Sequence, residues 1–196
     1  MKNTLPFHPD RIEISNYTNE FEEQLINLSD SQFGEGYIKL DDLKALSQNS
    51  SISILVVVVE KQLLAFSIME FTNSVDTASK LRLDPLWLRD KFPTVDLFCI
   101  RKQTAVKPNY AGNGIASKLL KKGLEIGFSK ADVVLSVIWN KPDSYSMDKI
   151  LLKNGFTQDK EFEKYWHADS LENNYSCMQC GKPPCSCSAS LFFLSK

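Results

Sequence analysis

The sequence predicts an α/β (α+β) fold: a mixed central sheet with helices on both faces and a short Cys-rich appendage at the C-terminus. Three observations predict it. Apolar runs of strand length, "ILVVVV" at Ile54–Val59 and "DVVLSVIW" at Asp132–Trp139, lie between stretches whose apolar residues recur at helical spacing. A strand candidate feeds a glycine-bearing turn and then the clearest helix, across Thr104–Gly127. Composition shifts towards Asn, Ser, Cys and Pro after His167, and four of the five cysteines fall within Cys177–Cys187. The expected division is a body, residues 1–168, and the appendage, residues 169–196.

The elements follow in order. Arg11–Ser15 is the first strand candidate, and "NEFEEQLINLSD" places Phe21, Leu25 and Leu28 on one helical face. "FGEGYIK", Phe33–Lys39, is a glycine-bearing loop, and "DDLKALSQ" a short helix with Asp41 or Asp42 near its start. Ser51–Glu60 and Leu63–Phe71 read as a hairpin, although Lys61-Gln62 is not a favoured turn pair. Within Thr72–Asp90, Pro85 reads as a break, and "LWLRD" fits either a strand or one helical turn. Val95–Val106 is a long strand. Gly114–Phe128 is a helix with Ile115, Ala116, Leu119, Leu120, Gly123 and Leu124 on one side. After Asp132–Trp139, Pro142 suits the first turn of a helix that ends at Gly155, and Phe156–His167 is the expected last strand.

Composition excludes some functions. A general nucleic-acid binder carries a marked basic excess, whereas the formal net charge here is -1. The longest apolar run is too short to span a bilayer, so no membrane partner is expected. The N-terminus lacks a signal-type apolar run, which leads to the expectation of a cytoplasmic protein with reduced thiols.

The segment "TAVKPNYAGNGIASKLLKKGLEIG", Thr104–Gly127, carries the chemistry. The first turn of a helix has unpaired N–H groups and partial positive charge. Gly112 and Gly114 lack a Cβ, so a ligand can approach the backbone closely. Strand, glycine turn and helix together make an anion site suited to phosphate or pyrophosphate. Lys107, Lys118, Lys121 and Lys122 stand nearby as cationic contacts. The segment is not a Walker A loop, since no Gly-Lys-Ser/Thr follows, nor a dinucleotide fingerprint, since the third glycine is missing. A plain strand-to-helix turn is the alternative.

"VKPNYAGNGIASKLL" resembles the acetyl-CoA-binding motif of the GNAT superfamily of N-acetyltransferases. Val106 and Pro108 match its Val-x-Pro, and Gly114 and Ala116 match the glycine and Gly/Ala at the helix start. Gly112 falls where many members also carry glycine, and Ala111 stands where Gln or Arg is usual. Downstream, "VIWNKPDSYSMDKILLKNGF" is similar to the family's later motif, with Asn140 on its Asn and Lys153, Gly155 and Phe156 on its helix end. The likeness spans about Arg11 to His167.

The resemblance implies a mostly antiparallel sheet and direct transfer of an acetyl group from acetyl-CoA to a primary amine. Thr104, Ala105 and Val106 would bind the pantetheine arm through the backbone. Ala111, Gly112, Asn113, Gly114, Ile115, Ala116 and Ser117 would hold the pyrophosphate. Asn140 would lie beside the pantetheine or adenosine, or else cap the following helix. Phe33, Glu35 and Tyr37 occupy the family's usual acceptor-side loop, and "GEG" there also fits a simple polar turn. The residues the family usually uses as base and acid fall on Ile100 and Leu151, so both are absent. Tyr145, Glu70 and Asp96 are the remaining candidates, each of which also fits a structural tyrosine or a solvated strand-end carboxylate. The acceptor is a small-molecule or peptide amine. The alternative is a non-catalytic acyl-CoA-binding or partner-recruiting module. His8 and His167 suggest no site.

Cys177, Cys180, Cys185 and Cys187 form the second constellation. Four thiolates give a closed tetrahedral zinc shell with no position for water or substrate, which is a structural site. Gly181 after Cys180 suits a tight turn where bulk would clash, and Pro183-Pro184 stiffens the link to the second pair. A disulfide pair, a redox-sensitive thiol cluster and a disordered tail are the alternatives. Cys99, in an apolar strand, reads as core. The expected role is to pin the last residues, including "LFFL", against the body.

Overall fold

A computed structural model describes residues 12–140 and 147–196 of the chain. The expectations for His8, Arg11, Pro142 and Tyr145 fall outside these residues. Seven strands form one sheet in the order β1-β2-β3-β4-β5-β7-β6. They are β1 (Ile14–Asn16), β2 (Ile52–Val59), β3 (Gln62–Asn73), β4 (Leu97–Val106), β5 (Val133–Trp139), β6 (Thr157–Phe162) and β7 (Ala189–Ser195). Only β4 and β5 are parallel neighbours, and every other adjacent pair is antiparallel. The helices are α1 (Glu22–Phe33), α2 (Leu40–Gln48), α3 (Ser74–Leu81), α4 (Pro85–Lys91), α5 (Ile115–Lys130), α6 (Met147–Lys153) and α7 (His167–Asn173).

The sheet is buried on both faces at its centre. In β3 every residue from Leu63 to Thr72 is buried, which is why "LLAFSIMEFT" shows no polar alternation. One face is covered by α1 and α2, whose Leu25 and Leu43 meet Phe66 and Ile68. The same face continues under α3 and α4, where Ala78 and Leu88 meet Phe98 and Leu135. The opposite face carries α5 and α6, with Leu119, Leu120 and Leu151 against Met69 and Val134. Each such apolar side chain contributes about 1.5–3 kcal/mol on burial. In α5, Gly123 and Gly127 bring the helix close: a Cβ would lie 2.8 Å from the Met69 sulfur or 3.3 Å from the Cys99 sulfur.

Several local expectations are corrected. Pro85 does not break structure but opens α4 at its first turn, with the Asp84 side chain accepting the Leu86 N–H. Asn73 caps α3 in the same way by accepting from the Asp76 N–H. The hairpin turn is real, and Glu60 and Lys61 supply its two left-handed positions without glycine. The strand after α6 ends at Phe162, and His167 starts α7.

The chain beyond the expected boundary near residue 168 returns to the sheet. The Cys-rich segment is present, but the chain beyond it does not lie outside the body. Ala189–Ser195 inserts between β5 and β6 and pairs with both. Ala189, Ser190, Leu191 and Phe192 are buried there. "LFFL" therefore belongs to the sheet, and β7 joins β5 to β6.

Candidate active site

The site begins where β4 and β5 part. Their pairing is confined to Phe98–Arg101 against Val133–Ser136. Beyond it, β4 continues to Val106 paired with β3 alone, while β5 continues to Trp139 paired with β7. A bulge sharpens the divergence: Met69 opposes Arg101 and Ile68 opposes Gln103, so Lys102 is the extra residue. The β5-facing edge of Gln103–Val106 thus has no partner strand, which leaves backbone donors and acceptors for a ligand.

After β4, a turn of 3-10 helix at Pro108–Tyr110 leads to Gly112 (φ 80°) and Gly114 (φ 76°), which caps α5. Both glycines take the left-handed conformation, and a Cβ on Gly114 would meet nothing within 4 Å. The turn at Gly114 therefore opens towards free space, and the first N–H groups of α5 have no intrahelical acceptor. A cavity of about 700 Å³ runs from this turn, past Thr104, Ala105 and Val106, to the divergence of the strands. Ala111, Gly112, Gly114, Ile115, Ala116 and Ser117 line its helix end. Asn113 is not on the wall; its side chain donates to the Tyr110 carbonyl at 3.2 Å. Lys122 pairs with Glu125 at 2.8 Å.

The cavity's other end is built by elements distant in sequence. Phe33 reaches it from the end of α1 and Tyr37 from the α1–α2 loop, with Trp166, Tyr175 and Cys177, Cys185 and Cys187 from the C-terminal segment. A second cavity of about 570 Å³ shares Tyr37, Arg101, Gln103, Trp166 and Tyr175 with the first and extends to Glu70. Tyr37 packs edge-on against Tyr175 at 4.9 Å, and burial pushes its hydroxyl up to about 12, with the Asp169 charge adding to the shift.

Asn140 falls elsewhere. Its Nδ2 donates to the Ser188 hydroxyl at 3.4 Å, its Oδ1 accepts from the Ser190 hydroxyl at 2.8 Å, and it does not line the cavity. It ties the end of β5 to the start of β7. Glu35 is exposed and off the wall; only its carbonyl is engaged, accepting the Ser176 N–H at 3.0 Å. Asp96 is exposed just before β4, outside both cavities. Glu70 is buried and lines the second cavity, with Lys80 and Lys102 each at 2.9 Å. Burial pushes its carboxyl up, but the hydrogen bonds and charges of the two lysines prevail and leave it below its ordinary value.

Sequence reasoning missed Arg101, Gln103, Ser136, Trp166 and Tyr175. Arg101 and Gln103 stand on the strand that was read correctly, and a charged residue inside an apolar strand was the available signal. Trp166 and Tyr175 carry none, because the folding of the tail brings them in.

The four tail cysteines converge. Their sulfurs all lie within 4.8 Å of one another, with Cys177–Cys187 at 3.7 Å, Cys180–Cys185 at 3.9 Å and Cys180–Cys187 at 3.3 Å. A tetrahedron with metal–sulfur bonds of about 2.3 Å has edges of about 3.8 Å. The donor set fits a zinc ion, and none of the five cysteines is in a disulfide. Cys177 and Gly181 exchange both backbone hydrogen bonds, at 2.7 and 2.8 Å. Gly181 is needed there for its φ of 77° and not for room, since a Cβ would meet nothing within 4 Å. The Ser186 hydroxyl and backbone N–H hold the Cys180 thiol down to about 6, while burial pushes Cys185 up to about 11. Cys99 is buried core against Gly127.

No protein-family model and no curated protein matches the chain. Solved structures do. Arabidopsis thaliana NAA60 in complex with acetyl-CoA is similar at a TM-score of 0.69 and 12% identity, over 94% of this chain and 98% of that one. The ribosomal-protein-S18-alanine N-acetyltransferase of Escherichia coli is similar at 0.63 and 11%, over 94% and 93%. The Drosophila melanogaster polyamine N-acetyltransferase, which catalyses formation of N-acetylagmatine, is similar at 0.61 and 14%, over 94% and 100%. With likeness of this extent and a mostly antiparallel sheet that opens between its two parallel strands, the chain has the fold of the GNAT N-acetyltransferases.

Proposed function

We propose that the protein transfers an acetyl group from acetyl-CoA directly to the primary amine of a small molecule or peptide. The observation that carries this reading is the continuous cavity from the first turn of α5, along the unpaired edge of β4, to the divergence of β4 and β5. The N–H groups around Gly112–Ser117 would receive the pyrophosphate, with no side-chain cation required. The backbone of Thr104–Val106 would hold the amide groups of the pantetheine arm by strand-like hydrogen bonds. The solved structure of NAA60 with acetyl-CoA supports this donor, and the N-acetyltransferases among the similar structures support an amine acceptor.

The amine would enter from the side of Phe33 and Tyr37, opposite the donor. Held against the thioester carbonyl, it gains most from positioning and exclusion of water. Its proton must leave, and Glu70 is the candidate among the described residues that lines a cavity, one sharing Arg101 and Gln103 with the first. Glu70 is ionised at neutral pH, so it would accept the proton through water, with Lys80 and Lys102 keeping it fixed. Tyr145 lies outside the described residues, and Asp96 lines neither cavity.

Cys177, Cys180, Cys185 and Cys187 would hold a structural zinc ion, with all four positions filled by thiolate. A cytoplasmic, reducing compartment belongs to this reading, because the thiolates must escape oxidation. The test is titration calorimetry with CoA and acetyl-CoA, followed by acetylation of an amine panel. Binding of both with transfer to at least one amine is the expected result. Absence of CoA binding would overturn the reading.

A further inference from the structure

A buried cation where β4 and β5 part has no counter-charge among the described residues. Arg101 is 4% exposed and is the last β4 residue paired with β5. One terminal nitrogen donates to the Ser136 hydroxyl at 3.1 Å and the other to the Thr104 hydroxyl at 2.7 Å, both neutral partners. Its Nε–H has no partner among the described residues. Among the described residues no carboxylate pairs with it. Glu70, on the adjacent strand, is held by Lys80 and Lys102. Cys99 is the titratable neighbour that couples to it, and burial pushes that thiol up to about 12, so it is neutral. Burial pulls the guanidinium down only to about 10, which leaves it charged at neutral pH. An unpaired charge removed from water is costly, and an arginine fork is shaped to take a carboxylate.

The cation lines the cavity at a definite place. Val106 stands at the α5 end of β4, five residues beyond Arg101, which at about 3.3 Å per residue is about 16 Å along the strand. A linear arm anchored at the first turn of α5 and laid along β4 leads its reacting end to Arg101. The acceptor must meet it there. Gln103, two residues away, lines the same cavity with an unpartnered Oε1.

We propose that Arg101 binds a carboxylate carried by one of the two substrates and fixes it at the base of the cleft. The inference rests on the CoA-dependent reading above. The carboxylate has two possible sources: the far end of a dicarboxylic acyl thioester, or an amino-acid acceptor whose carboxylate lies beside its amine.

Calorimetry on the whole protein separates them. In the donor arm, succinyl-CoA is compared with acetyl-CoA. In the acceptor arm, amino acids are compared with their carboxamides in the presence of CoA. The carboxylate member of one arm is expected to bind roughly 30-fold tighter or more, as for a buried charge pair. Arg101→Gln should erase the difference between the members of that pair, and Arg101→Lys, which keeps the charge, should retain part of it. CoA binding with no carboxylate preference in either arm would overturn this inference and leave the CoA reading standing. Equal loss for both members in Arg101→Gln would also overturn it, since that pattern belongs to a residue acting on the thioester or on the fold. Failure to bind CoA at all would overturn both. The wild-type comparison decides the matter even if Arg101→Gln does not fold.

Discussion

Gly114 stands where the backbone must be left-handed and where added bulk would meet only the space a ligand needs. Gly114→Val therefore acts twice, through strain at φ 76° and through steric exclusion of the pyrophosphate. CoA affinity measured by calorimetry is expected to fall at least tenfold while circular dichroism still reports a folded chain. Unchanged affinity would remove the pyrophosphate from this turn. Glu70 makes a different prediction. Its folded carboxyl titrates below the ordinary value, so its stabilising effect is complete above about pH 4.3 and is lost as the pH falls through the folded value. Glu70→Gln should cost roughly 1–2 kcal/mol at pH 7, since both lysines remain part-exposed. The deficit should shrink as the wild type is acidified, and a deficit independent of pH would show that packing, not charge, is at stake. The glycine was legible in the sequence because its spacing reports a turn before a helix. The ion pairs of Glu70 were not, since Lys80 and Lys102 reach it from another helix and another strand.

At the scale of elements, the Cys-rich loop and the α1–α2 loop hold each other. The Ser176 and Met178 N–H groups donate to the Glu35 and Phe33 carbonyls at 3.0 and 3.3 Å. A Cβ on Gly34 would fall 1.6 Å from the Ser176 carbonyl oxygen, and Gly34 has a φ of 125°. Gly34→Ala must therefore separate the two loops. It should lower both melting temperature and acceptor affinity, with CoA affinity little changed. Loss of CoA affinity to the same degree would point to global damage. Cysteine substitution tests the same joint from the other side. Protein purified without chelator should carry one zinc per chain. Cys177→Ser should lose it, with a fall in Tm on the order of 10 °C. Four reactive thiols and no zinc in the wild type would reject the metal site. The cysteine spacing announced the cluster, whereas its contact with the acceptor side depends on where the loop packs.

For the whole molecule, the decisive feature is the insertion of β7 between β5 and β6. Removing residues 189–196 takes a strand from inside the sheet, exposes two unpaired edges and uncovers the core around Leu191 and Phe192. A chain ending at residue 188 is expected to be insoluble or unfolded by circular dichroism. A soluble, cooperatively melting product would show that the last strand is dispensable. Long-range closure of this kind also implies slow folding, since β5 and β7 are far apart in sequence, Val133 pairing with Ser195.

The sequence by itself determined the mixed α/β architecture, the glycine turn before α5 and the four-cysteine cluster. Each is written in local terms: apolar period, residues that tolerate positive φ, and ligand spacing. Tertiary structure alone decided the rest. The order of β5, β7 and β6 depends on pairing between distant positions, from Val133 with Ser195 to Phe162 with Ala189, and no local pattern in "SASLFFLS" distinguishes an inner strand from an appended one. Asn140 went to Ser188 and Ser190 at the start of β7, and Trp166 and Tyr175 joined the cavity, because that pairing carries the tail back over the cleft. The charge of Arg101 was visible from the start. That it is buried without a counter-ion among the described residues follows only from which side chains the folded sheet brings beside it.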